Sequence, residues 1–213
     1  GMNNALELEG RAVDLAIGTY ATSPFARSGA NVHDFRFDTG LVDILQVNLA
    51  IAKGTGASTS LLRIGGGELR LGGSAAFGDA GTGSVSLGAA GAGELRIDGG
   101  LVVTTVPIGR SAGAGSATLT LSGGVLDLGG NDLGSAALPL TLALSSGTLR
   151  DYGQLNGGQA LVKTGAGTLI LEGTSGHVAG ITISAGTLQV GAGGATGTLG
   201  NSDVANAGTL AFD

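Results

Sequence analysis

The sequence predicts an all-β chain whose short strands coil into a single-stranded parallel β-helix, a β-solenoid. Three observations carry that prediction. Short alternating runs bracketed by glycine recur, as in Gly167–Gly173 (GTLILEG) and Gly186–Gly191 (GTLQVG). In the first, Leu169 and Leu171 fall on one face and Thr168, Ile170 and Glu172 on the other. In the second, Leu188 and Val190 oppose Thr187 and Gln189, because successive strand side chains alternate. Next, the 23 residues Ile51–Gly73 align without gaps on the 23 residues Ile108–Gly130. That alignment sets Leu62 against Leu119, Ile64 against Leu121, Leu69 against Leu126 and Leu71 against Leu128. Apolar positions recur while turn residues vary, as a stacked core requires. Third, 44 glycines coexist with a chain that is 42% hydrophobic but only 3% aromatic. A disordered glycine-rich linker lacks such apolar content. A core of Leu, Ile, Val and Ala suits a narrow stack better than a thick globule.

A sandwich or up-and-down barrel would need hairpins. The Asn-Gly dipeptide that signals them occurs once, at Asn156-Gly157. Each period instead holds two or three very short strands, each able to pair with its counterpart one coil away. Coils of ~20–25 residues predict roughly nine rungs, and at ~4.8 Å per rung a rod of ~45 Å. Parallel crossovers favour the right hand.

Taken in order, residues 1–50 are irregular rungs or a cap. Ala5–Leu8, Ala12–Ile17, Leu41–Ile44 and Val47–Ile51 are strand candidates, and Thr19–Ala30, with Pro24 and Gly29, reads as a loop. His33–Asp38 alternates, with Phe35 and Phe37 on one face and Asp34, Arg36 and Asp38 on the other. Three of the five phenylalanines lie in this part, suiting a closed end of a stack. Residues 51–160 form the repeats. Phe77–Gly100 is a looser copy between the two aligned ones, and 131–160 continue the coil with irregular bends around Pro139. Residues 161–213 are expected to continue the same helix.

The run Lys163-Thr164-Gly165-Ala166-Gly167-Thr168-Leu169-Ile170-Leu171, followed after a glycine-rich turn by Gly186-Thr187-Leu188, resembles the strand repeat of bacterial autotransporter passenger domains. Ser175 and His177 stand where that family carries Asn and Tyr. The resemblance implies a right-handed parallel β-helix delivered to the cell surface by type V secretion. It also implies that such repeats help the passenger fold as it emerges.

Composition narrows the alternatives. The net charge is −6, which argues against nucleic acid. No cysteine is present, so disulfides and thiolate metal sites are excluded. No stretch approaches the ~20 apolar residues of a membrane helix. The nearest, Leu41–Ala52, is broken by Asp43, Gln46 and Asn48. The opening GMNNALELEG lacks a signal peptide's basic and apolar regions, and the chain reads as an excised piece of something longer.

Chemistry-bearing patterns are few. Gly109-Arg110-Ser111-Ala112-Gly113 fits the G-x-S-x-G elbow, but a strand rather than a helix is expected to follow. His33 begins a charged strand, and His177 reads as a turn side chain lying on the coil. Asp34, Arg36, Asp38 and Asp43 form the densest acidic cluster, the best place for acid–base or calcium chemistry. A charged outer face that keeps an edge soluble is the preferred reading. Glu68/Arg70 and Glu94/Arg96 repeat that outward pattern. Neither lysine follows a glycine as a phosphate-binding loop requires.

No residue is therefore nominated as catalytic, cofactor-binding or metal-ligating, and no cofactor is expected. The expectation is a monomeric, non-enzymatic, stalk- or adhesin-like piece of a surface-exposed or secreted passenger. It would meet a host or cell-surface ligand, with no nucleic acid and no membrane insertion. The rival is a secreted parallel β-helix enzyme acting on polysaccharides.

Overall fold

Alternating side chains and glycine corners give this chain 17 strands and no helix among the described residues. The structure, a computed structural model, describes residues 12–17, 31–49, 58–73, 78, 80–88, 91–175, 179–193, 197–199 and 203–213. Every strand pairing in it is parallel. The fold is the parallel β-solenoid the sequence predicts.

Strands stack on three faces. The first face holds β2 (Asn31–Phe37), β4 (Ser58–Ile64), β7 (Ala92–Ile97), the first halves of β10 (Ser116–Asp127) and β11 (Thr141–Tyr152), β12 (Leu161–Lys163), β14 (Ile181–Ile183) and β16 (Val204–Asn206). The second holds the start of β3 (Leu41–Leu49), β5 (Glu68–Leu71), β8 (Leu101–Thr104), the second halves of β10 and β11, β13 (Thr168–Ser175), β15 (Thr187–Val190) and β17 (Thr209–Phe212). The third holds β1 (Ala12–Ile17), the end of β3, β6 (Ser84–Leu87) and β9 (Ile108–Arg110), continued by single bridges Ile108–Leu133 and Leu133–Leu155.

The core is a set of columns running along this stack. One reads Val42, Leu69, Val102, Leu126, Leu149, Leu171 and Val190, all buried, and ends at Phe212, which is 70% exposed. The two aligned sequence copies lie two rungs apart in the same columns. Leu95 stands between Leu62 and Leu119, and Val102 between Leu69 and Leu126. Phe35 and Phe37 pack against the core with ring centroids 6.1 Å apart. Ala5–Leu8, the Thr19–Ala30 loop and Phe25 lie outside the described residues.

Strand lengths differ from expectation. Leu41–Leu49 is one strand, and β10 and β11 each run 12 residues through glycines that were expected to stop them. Here glycine bends the strand around a corner. At Gly124 the chain takes φ +65°, and a Cβ would lie 2.5 Å from the Gly100 carbonyl oxygen of the rung before. Only glycine meets both demands at once. The register shifts between Leu121 and Val125 mark the same corner. Asn156-Gly157 is a turn, but not a hairpin. Both residues have positive φ (48° and 68°) and Gly158 N–H closes onto Leu155 O at 2.9 Å, yet the flanking segments enter parallel stacks. The Asn156 side chain is what anchors it. Its amide accepts from Leu140 N–H (2.8 Å) and donates to Leu140 O (2.9 Å), acting as a substitute peptide group.

Candidate functional site

The rungs from Leu161 to Val190 are built from two copies of one plan. In β12, Leu161 and Lys163 point inward and Val162 points out, 42% exposed. The turn Thr164–Gly167 leads into β13, where Leu169 and Leu171 are buried. In the next rung Ile181 and Ile183 occupy the inward places of β14, and Leu188 and Val190 those of β15. Leu169 faces Leu188 and Leu171 faces Val190 in the ladder, as the shared Gly-Thr-Leu start predicts. The turns stack as closely as the strands. Gly186 has φ +69°, and a Cβ there would lie 2.5 Å from the carbonyl oxygens of both Gly165 and Gly167. Ser184 N–H donates to Lys163 O (2.9 Å) and Thr187 N–H to Gly167 O (3.1 Å).

Lys163 is the exception in this core. It occupies the first-face column between Leu144 and Ile183, with no exposed surface. Its ammonium donates to three carbonyls: Thr164 (2.7 Å), Gly165 (2.8 Å) and Ala185 (3.1 Å). Burial pushes its pKa below the ordinary lysine value. The sequence signal is its phase, two residues after Leu161 on the inward side of the strand.

The aromatic packed on this part of the coil is Tyr152. It is 2% exposed and lies opposite Ser175 across the β11–β13 ladder. Burial raises its phenol pKa above the ordinary tyrosine value, and the Ser175 hydroxyl opposite it pulls the other way. His177, expected to lie on the coil, falls outside the described residues. Asp151, at φ 43°, turns its carboxylate onto the next rung, accepting from Thr174 N–H (2.8 Å) and Thr174 Oγ1 (3.3 Å).

Charged residues are distributed along the outer surface. Arg150 donates to Glu172 (2.8 and 3.0 Å) and lies 3.7 Å from Asp127, so alternating signs stack on three successive rungs. Asp98 collects Ser122 Oγ (2.5 Å), Arg63 Nε (2.6 Å) and Arg96 Nε (2.9 Å). Burial pushes the Asp98 carboxyl up, but these donors outweigh it and hold it below the ordinary aspartate value. Arg70 pairs with Glu68 on its own strand (2.6 Å), and Glu94 accepts from Thr120 Oγ1 (2.8 Å).

The acidic cluster of the N-terminal part does not gather into one site. Asp38 sits exposed in the turn after β2, 3.6 Å from Arg63. Asp43 is buried on the second face, in register with Arg70. Arg36 is exposed in register with Arg63, and the side chains of His33 and Asp34 lie outside the described residues. Ser111, the serine of the G-x-S-x-G run, hydrogen-bonds Ser86 Oγ, and Arg110 Nη2 ties down the following loop through Gly113 O (3.1 Å) and Gly115 O (2.5 Å). β10, not a helix, follows. Among the described residues no group of three or more His, Cys, Asp or Glu side chains is placed to hold a metal. A surface groove of about 270 Å³ runs beside Thr59, Ser60, Glu94 and Thr118, with Glu94 as its only charged lining group.

Residues 161–190 match the family model described as Passenger-associated-transport-repeat. The matched segment spans β12 to β15, two complete first-and-second-face turns of the solenoid. The match agrees with the autotransporter resemblance read from Lys163–Leu171 and Gly186–Leu188. No curated protein and no solved structure matches the chain.

Proposed function

We propose that this chain is part of an autotransporter passenger, a rigid stalk- or adhesin-like rod at the bacterial surface or beyond it, reached across the outer membrane. The single observation that carries this reading is the repeat at 161–190, whose two Gly-Thr-Leu strands stack in register. In this reading the role is mechanical. Continuous parallel ladders satisfy the backbone, and the leucine columns exclude water between rungs. In this reading residues 1–50 serve as irregular first rungs or a cap, 51–160 as shaft, and 161–213 as the part that helps the passenger fold as it emerges. The rod presents itself as a monomer to a host or cell-surface ligand. The dispersed, mutually paired charges of the outer surface favour this shaft over a glycan-cleaving groove.

The test is display. The full chain is fused ahead of an autotransporter translocator barrel in an outer-membrane bacterium, with and without residues 161–190. The intact chain should reach the surface in a protease-resistant form. The deletion should leave only a small fraction resistant. Equal amounts of resistant, surface-exposed protein from both fusions would overturn the folding role.

A further inference from the structure

Lys163 breaks the rule that governs every neighbouring inward position. The column runs Ile97, Leu121, Leu144, Lys163, Ile183, and only Lys163 is charged. A fully buried cation is tolerated only when paired or fully hydrogen-bonded. Among the described residues no carboxylate pairs with it. Its three ammonium protons instead match three carbonyl acceptors. Two of those, Thr164 O and Gly165 O, belong to its own turn. The third, Ala185 O, belongs to the turn of the following rung, brought within reach because Gly186 sits on the Gly165–Gly167 backbone.

We propose that the Lys163 ammonium locks two successive rungs together, so that residues 161–190 open and close as one two-rung unit. While the 184–186 turn is absent, one ammonium proton has no acceptor and the cation has reason to stay in water. Once that turn docks, all three are satisfied and water is shut out. The lock thus converts the arrival of the second rung into closure of the first, which nearest-neighbour leucine packing does only in proportion to area. The inference rests on the geometry of Lys163 alone and stands whether or not the chain is a passenger.

The chain has two lysines, Lys53 and Lys163, so selective ¹⁵N-lysine labelling resolves the group directly. In the intact chain the Lys163 ammonium protons should exchange with solvent far more slowly than a free lysine's. Leu188→Ala loosens the second rung without touching the lysine. It should speed exchange of the Lys163 ammonium and of the amides in 161–163 by the same factor as those in 181–183, about tenfold or more. Amides in 95–104 should not change. Should Leu188→Ala fail to fold, Leu188→Val applies the same perturbation more gently. Lys163→Met keeps the length and removes the donors, and should release the 164–167 and 184–187 turns together. Fast ammonium exchange in the intact chain would overturn the proposal. So would an ammonium that stays protected while 181–190 loosens, or a Lys163→Met effect confined to its own turn.

Discussion

Truncating Leu171 to alanine tests how far damage travels along the stack. Leu171 is 1% exposed, lying between Leu149 below and Val190 above in the second-face column. Removing a buried leucine's outer carbons costs about 2–5 kcal/mol, the higher values where the surroundings cannot collapse. Here the backbone is held on both sides. Leu149 and Leu171 are ladder partners, as are Leu171 and Val190, and Gly191 N–H donates to Leu171 O at 2.8 Å. The walls of the cavity are pinned by those ladders, so a loss of about 4 kcal/mol is expected. In a stack coupled through nearest neighbours, the loss should appear first in the rungs on either side. Hydrogen exchange resolves this. Amides of 147–152, 168–175 and 187–190 should accelerate, while those of 62–71 and 95–104 keep their protection. Gln189→Ala is the control. Its side chain faces outward and, among the described residues, bonds Gly191 O (3.0 Å) and, weakly, Asp213 (3.4 Å). It should change stability by at most about 0.5 kcal/mol. Uniform acceleration over all rungs by Leu171→Ala would refute nearest-neighbour coupling. A large effect from Gln189→Ala would refute the assignment of faces.

Two further predictions concern the corners and the charges. Gly124→Ala should destabilise more than Gly130→Ala in denaturant titrations. Both glycines have positive φ, costing alanine about 1–2 kcal/mol, but a Cβ at Gly130 meets nothing within 4 Å while one at Gly124 strikes the Gly100 carbonyl. Equal losses would show that close stacking of the turns contributes nothing. Asp98 should make the fold sensitive to acid. Its folded pKa lies below the ordinary aspartate value, so its stabilisation is present above that value and is lost as pH falls through the folded pKa. In denaturant titrations Asp98→Asn should be less stable than the parent by about 1–3 kcal/mol at pH 7, with the gap closing in strong acid. A gap that persists unchanged at low pH would remove the carboxylate from the account.

The sequence alone determined the repeating unit of this protein. Alternation in GTLILEG and GTLQVG settled which side chains face in, because strand geometry leaves two choices and only one buries the leucines. The gapless copies settled that Leu62 and Leu119 share a column. Periodicity, however, is blind to what happens between periods. Whether Gly124 ends a strand or bends it depends on the rung beneath, where the Gly100 carbonyl leaves no room for a side chain. Asn156-Gly157 has the chemistry of a hairpin, and only the position of Leu140 turned it into a corner. The acidic residues between 34 and 43 are neighbours in sequence, yet the bend after Phe37 sends Asp38 toward Arg63 and Asp43 onto another face. Lys163 shows the limit most clearly. Its inward phase was legible at Leu161-Val162-Lys163, but a charge in a core column is acceptable only if acceptors surround it. Those acceptors come from two turns separated by about twenty residues of chain, which only the stacking of one rung on the next brings together.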